Sequence, residues 1–417
     1  MTAFASVEQQ VAILTRGAVD LHVRSDLEER LEESRLRGKP LRVKAGFDPT
    51  RPDLHLGHGV LLQKIRQFQD LGHIAVFLIG DFTAMIGDPT GESESRPRLS
   101  RDQVERAATT YLEQALCVLD KQRLELRRNS EWLEPMKLSE AIELTAKATV
   151  ARMLERSDFR RRFDEERPIH QHEFLYPLLQ GFDSVILDCD VELGGTDQLF
   201  NLLMGRDLMV KYGKRPQIVM TTPLLEGTDA RVENGVIVGK KMSKSSGNYV
   251  GLQEDPTSMF RKLMQIDDGV IFRFFDLLSR KGSAEIASLR HDMAAGRSPL
   301  EIKAIFASEV VERFHGAAAA ALAAREFDRV YAKNSPPDEV PSIELAPEGG
   351  IAELAWALKQ ARLAPSTSEA RRLVEQGGVE VDGERVTDPK LVLRSGSDHL
   401  VRVGSKNRRF ARIRVRT

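Results

Sequence analysis

Two short stretches, far apart in the chain, carry residue types suited to gripping phosphate. His55-Leu56-Gly57-His58 sets two imidazoles beside a glycine where a strand gives way to a helix, and Lys241-Met242-Ser243-Lys244-Ser245 sets two lysines on a Ser/Gly-rich loop. Ring N–H groups at a helix start donate to phosphate oxygens, and loop lysines bring mobile positive charge from another side. Either stretch alone reads equally well as capping histidines or a solvated loop. Their order, separation and intervening sequence make the pair specific. A second set, Tyr176, Gln180 and Asp183, falls along one face of a predicted helix; spacing alone favours ordinary packing there.

Short apolar runs alternate with helical patterns in the first half, which predicts an α/β fold: a Rossmann-like, doubly wound parallel sheet. Leu41 to Phe47 reads as a strand, Val60 to Leu71 as a helix and His73 to Ile79 as the next strand, with the first histidine stretch at their junction. A helix around Val104 to Leu119, a short strand from Leu124, a helix from Asp197 to Lys211 and a last strand at Gln217 to Thr221 follow. No GxGxxG fingerprint follows any strand, which disfavours a dinucleotide-binding dehydrogenase.

From Asp255 the pattern turns helical, and Asn334 to Gly350, with four prolines and two glycines, reads as a linker. A third unit follows it. Ser366 and Glu369 suggest a capping box, Ala370 to Gln376 a helix, Gly377-Gly378 its stop, and Asp382-Gly383 a hairpin turn. The predicted divisions are 1–235 for the catalytic domain, 236–254 for the lysine loop, 255–333 for a helical domain, 334–350 for the linker and 351–417 for a small α+β domain. No acidic residue follows Asp398, whereas basic residues accumulate, a composition that favours RNA phosphate over a merely solvated face.

With 61 Lys and Arg against 62 Asp and Glu, the whole chain gives no polyanion signal. Cys117 and Cys189 form no CxxC pair, which argues against zinc and disulfides; both are expected to be buried thiols in a reducing compartment. No apolar run reaches the ~20 residues of a membrane span and no leader pattern opens the chain, so a cytoplasmic protein without a membrane partner is expected.

Phe47 to His58 resembles the HIGH region of class I aminoacyl-tRNA synthetases, and Lys241 to Ser245 resembles their KMSKS loop. Within that class the chain is most similar to the bacterial tyrosyl branch, through Ile86-Gly87-Asp88-Pro89, Asn129-Ser130-Glu131-Trp132, Glu173 to Asp183 and Gly194-Gly195-Thr196-Asp197-Gln198. Ser368 to Val374 with Gly378 to Gly383 resembles the RNA-binding module named after small ribosomal protein S-four. The resemblance implies activation of L-tyrosine by ATP to tyrosyl-adenylate and pyrophosphate, then transfer of the tyrosyl group to the terminal adenosine of tRNA(Tyr). It implies Mg²⁺ with ATP, no tightly held protein metal, and a homodimer.

By the same resemblance, Thr50, His55, His58, Lys241 and Lys244 serve the phosphates. Asp48, Gly57, Gly195, Asp197 and Gln198 meet the nucleotide. Asp88, Tyr176 and Gln180 take the amino acid's ammonium, Asp183 takes the phenol, and Thr83 supports them. Arg371, Arg372, Arg402, Lys406, Arg408 and Arg409 are the tRNA-binding candidates. Three positions depart from the family pattern: Lys44 replaces a common tyrosine near the phenol, Ala45 replaces a cysteine, and Glu92 stands in a loop usually basic there, leaving Arg96 and Arg98 for pyrophosphate. Two rivals remain: a tryptophan-specific relative, opposed by Asp183 and the basic tail, and an RNA-binding protein on an inactive scaffold, opposed by the intact histidines and lysines.

Overall fold

The computed structural model describes residues 4–49, 53–90, 100–332, 340–347, 350–404 and 408–416. Thr50, Glu92, Arg96, Arg98 and Lys406 lie outside them. Internal contacts divide the chain into two compact units, Met1–Ala320 and Ala321–Thr417.

The first unit is built on a six-stranded sheet comprising β1 (Leu21–His22), β2 (Arg42–Phe47), β3 (Ile74–Ile79), β4 (Leu124–Arg128), β5 (Val191–Gly195) and β6 (Ile218–Thr222), in the order β1-β6-β5-β2-β3-β4. β6, β5, β2, β3 and β4 run parallel. β3 and β6 are almost wholly buried, as expected of parallel strands covered by helices on both faces. The doubly wound sheet is mixed at one edge, where Leu21 and His22 pair antiparallel with Met220 and Val219. Two residues are too few to show an alternating pattern.

The helix Leu56–Asp70 crosses from β2 to β3 and buries Val60, Leu62, Ile65 and Phe68 against the sheet, while Phe47 and Phe77 stack at 4.5 Å. The strand order reverses between β2 and β5. Their carboxyl ends, Phe47 and Gly195, therefore open onto the crevice where sheets of this kind take ligands.

β6 is not the last strand, as the sequence pattern had suggested. A hairpin of Arg231–Glu233 and Val236–Val238 follows, turning on Asn234 and Gly235, both at positive φ. The Asn-Gly pair was the available signal, but its flanking strands are short and mostly exposed. The helices Pro256–Met264, Ile271–Leu278, Ser283–Ala294 and Pro299–His315 complete the unit around Phe274, Phe275 and Phe306.

In the second unit, Val379–Val381, Glu384–Val386, Asp398–Val403, Arg409–Val415 and Ser342–Leu345 form one sheet, with Leu358, Ala370, Val374, Val401 and Ile413 in its core. Asp382 and Gly383 make the expected turn at positive φ. The expected capping box is half made: the Glu369 amide donates to Ser366 Oγ at 3.2 Å, but the Glu369 carboxylate pairs with Arg372 at 2.6 Å. The cysteine expectation is also corrected. Cys189 is buried, which pushes its thiol up to about 12, whereas Cys117 lies just past the Arg101–Ala115 helix and is exposed.

Candidate active site

The crevice is a cavity of about 1360 Å³, and both the His55–His58 and the Lys241–Ser245 stretches line it. They are stitched together by backbone: the Leu56 amide donates to the Val250 carbonyl at 2.9 Å, and the Leu252 amide to the Leu54 carbonyl at 3.0 Å. Met242 is buried and anchors the lysine loop, while the Ser243 amide donates to Asn248 Oδ1 at 2.9 Å.

The histidines cap the helix that begins at Leu56. Gly57 N donates to His55 Nδ1 at 3.1 Å, and His55 N donates to His58 Nδ1 at 3.2 Å. Each ring thus carries its proton on Nε2, leaving that nitrogen as a donor. Burial, with Lys244 and Lys241 adding to it, holds both rings neutral: His55 is lowered to about 2 and His58 to about 4. Glycine at 57 is required locally, because a Cβ there would stand 2.8 Å from the His55 ring. The lysines face them while resting on carboxylates, Lys241 at 3.6 Å from Asp197 and Lys244 paired with Asp53.

At the other end, side chains form a continuous chain of hydrogen bonds. Tyr176 and Thr83 donate to the two oxygens of Asp48, each at 2.8 Å. Asn129 Nδ2 donates to Thr83 Oγ1 at 3.0 Å and reaches Asp183 Oδ2 at 3.3 Å, while Trp132 Nε1 donates to Asp183 Oδ1 at 2.8 Å. Asp183 is buried, which raises its carboxyl to about 7 despite Lys44, Trp132 and Asn129. Burial likewise raises the Tyr176 phenol, keeping it a donor. Glycine at 80 leaves room for this carboxylate, since a Cβ would fall 2.0 Å from Asp48 Oδ1 and force it to shift.

Between the two ends, Gln198 Nε2 donates to Asp88 Oδ2 at 2.7 Å. Gln180 Oε1 is buried with no partner among the described residues. Asp197 is raised by burial, with Lys241 pulling the other way.

All the predicted site residues of the first unit except Thr50, which lies outside the described residues, line this one cavity: Asp48, His55, Gly57, His58, Thr83, Asp88, Tyr176, Gln180, Asp183, Gly195, Asp197, Gln198, Lys241 and Lys244. Asp48, read as a nucleotide contact, has its carboxylate bonded to Tyr176 and Thr83. Sequence reasoning noticed the segment from Asn129 to Trp132 but gave it no task, and it missed Asp53 and Gly80. For Gly80 the signal was its place directly after β3.

In the second unit the basic candidates are largely paired: Arg371 with Glu353, Arg372 with Glu369 and Arg402 with Glu380. Arg408 donates to the Val330 carbonyl at 2.5 Å, and Arg409 is exposed at the start of its strand. Lys406 lies outside the described residues. Among the described residues, no group of three or more His, Cys, Asp or Glu side chains is arranged to hold a metal, and no helix is long and apolar enough to cross a membrane.

Comparison with known proteins gives consistent results. The family described as tRNA synthetases class I (W and Y) matches residues 36–332, and the S4 domain matches 357–399. A tyrosine–tRNA ligase of Thiobacillus denitrificans is 52% identical over 409 residues, covering 98% of this chain and 100% of the relative. One from Geobacter sulfurreducens is 51% identical (98% and 99% covered), and one from Burkholderia mallei 50% identical (98% and 95%). Among solved structures, a C-terminally truncated mitochondrial tyrosyl-tRNA synthetase of Aspergillus nidulans superposes with a TM-score of 0.65 at 20% identity, covering 78% of this chain and 99% of that one. At that identity the likeness speaks for the fold alone.

Proposed function

The chain belongs to the class I tRNA synthetases for tryptophan and tyrosine and is a tyrosine:tRNA ligase, and from that premise we propose which of its side chains carry the reaction. The tyrosine carboxylate attacks the α-phosphorus of ATP, a C–O–P bond forms, the α–β bridge breaks, and pyrophosphate leaves with the bond's electrons. A carboxylate needs no general base, so the protein's task is to orient and to stabilise charge.

His55 and His58 meet the phosphates as neutral Nε2–H donors, and Lys241 and Lys244 close from the opposite side, with Mg²⁺ accompanying the nucleotide. Each such donor is worth roughly 2–4 kcal/mol in the transition state. The lysines exchange Asp197 and Asp53 for phosphate. Asp197, Gln198, Gly57 and Gly195 serve the nucleoside. Asp88, Gln180 Oε1 and Tyr176, backed by Asp48 and Thr83, receive the substrate ammonium, and Asp183 accepts from the phenol. Phenylalanine would leave that buried carboxylate without the phenol's hydrogen bond.

The second step transfers tyrosyl from the adenylate to a terminal ribose hydroxyl and releases AMP. The match of the second unit to the S4 domain supports a role for Arg371, Arg372, Arg402, Arg408 and Arg409, with Lys406, on RNA phosphate. A homodimer is supported by the exposed apolar side chains Leu138, Ile142, Val150 and Phe163 in one stretch of the first unit. The working compartment we propose is the reducing cytoplasm.

One observation carries this reading: a single cavity holds neutral imidazole donors and two lysines at one end and a buried carboxylate with its own donors at the other. ATP–pyrophosphate exchange with tyrosine, tryptophan and phenylalanine supplied separately tests it. Turnover selective for tyrosine is expected. Equal turnover with tryptophan, or none with any of the three, would overturn it.

A further inference from the structure

Behind the phenol end of the cavity lies a charged cluster that the reaction described above does not use. Lys44 on β2 and Glu192 on β5 are direct cross-strand neighbours, 1% and 2% exposed, with Nζ 3.1 Å from Glu192 Oε1. Lys44 also donates to Ser184 Oγ at 2.8 Å, and Ser184 donates to Glu192 Oε2 at 3.0 Å. Gln217 donates to the same carboxylate. The packing leaves no slack, since a Cβ on Gly205 would stand 2.6 Å from Ser184 Oγ. Removing two charges from water costs several kcal/mol per ion, so such a pair is weak support for stability and invites another explanation.

Ser184 follows Asp183 on the helix Gln171–Leu187, and Glu192 and Asp183 both line the cavity. We propose that Lys44, seated by Glu192 and Ser184, is a positioning residue for the substrate's phenol: its buried ammonium stands behind the pocket and favours the carboxylate form of Asp183 that accepts from the hydroxyl. This rests on the ligase reading above.

The hydrogen bonds to Asp183 come from two neutral donors, Trp132 and Asn129. The charged and titratable groups facing it are Lys44 from β2, Glu192 from β5 and Tyr176 on its own helix, whose hydroxyl is bonded to Asp48. Burial favours the protonated acid, Lys44 opposes burial more strongly than either hydrogen bond, and Glu192 reinforces it. A protonated Asp183 loses the charge that makes its bond to phenol strong. The pair therefore works as a setting, in which the cation stabilises the carboxylate and the anion destabilises it.

The full-length enzyme tests this through kcat/KM for tyrosine in ATP–pyrophosphate exchange, followed across pH, because that ratio reports ionisations of the free enzyme. In the wild type it should fall as pH drops through about 7, where Asp183 takes up its proton. Lys44→Met should move that midpoint up by about one pH unit, and Glu192→Gln should move it down. At pH 7, where the ionised fraction falls from about one half to about one eleventh, Lys44→Met should narrow the tyrosine-to-phenylalanine ratio about fivefold, while KM for ATP stays put. Opposite movement of the two midpoints is the signature, since a purely structural role would weaken both variants alike. Unmoved midpoints, or movement in the same direction, overturn the proposal. If Lys44→Met does not fold, Glu192→Gln decides alone, with a downward midpoint in favour and any other result against. A wild type without tyrosine-dependent exchange would instead sink the ligase reading itself.

Discussion

The side chains that matter most are those whose local geometry leaves them one task. His55 and His58 spend Nδ1 on backbone amides and keep Nε2–H for the cavity, so each ring caps the helix and still has a donor free for the phosphate role proposed above. The two tasks separate by substitution: His55→Asn retains an N-cap, and its unfolding free energy should stay within about 0.5 kcal/mol of wild type, whereas His55→Ala should lose about 1 kcal/mol. Equal melting of the two variants would contradict the cap. Gly80→Ala would drive a methyl into Asp48, so tyrosine KM should rise and stability fall by about 1–3 kcal/mol in denaturant titration, and an unaffected KM would count against the Asp48–Tyr176–Thr83 arrangement. His73 accepts from the Leu41 amide and bonds Gln10, and burial lowers it to about 4. The unfolded chain takes up that proton near pH 6.5, so the stability His73 contributes is full above that point and declines as pH falls toward 4. The drop in melting temperature between pH 7 and pH 5 should therefore shrink in His73→Gln; an unchanged drop would show that His73 is not the group responsible.

Among the elements, those with long periods were legible and those set by single contacts were not. β2, β3 and the helix between them follow from apolar runs and a 3.6-residue repeat, and they carry the histidine motif to the carboxyl end of a strand. β1 is two residues long and the hairpin at Asn234-Gly235 is mostly exposed, so neither carries an apolar pattern. The site shows the same division. Motifs named its histidines, lysines and carboxylates, but the holding of Asp183 by Trp132 and Asn129, and the resting of Lys244 on Asp53, depend on distant segments meeting and leave no local trace. Pairing inside the second unit also escaped composition: Arg412 and Arg414 flank Asp398, and Arg416 pairs with Glu344, so the basic tail is partly neutralised by its strand neighbours.

For the whole molecule, activation should be separable from tRNA charging. Deleting 350–417 should spare ATP–pyrophosphate exchange and cripple aminoacylation, and equal loss of both would make the second unit a folding support. Phe163→Asp should shift sedimentation toward monomer if the exposed apolar stretch is the subunit interface, and an unshifted boundary would remove that interface from consideration. The central claim is that two distant stretches act together on one triphosphate while tyrosine is held elsewhere in the same cavity. The most direct measurement is the single-turnover rate of tyrosyl-adenylate formation in His55→Asn and Lys244→Ala, with tyrosine affinity taken from the same titrations. Each variant should slow the step by about 10²–10³-fold with tyrosine affinity nearly unchanged. Weakened tyrosine binding with an unaltered rate at saturation would contradict it.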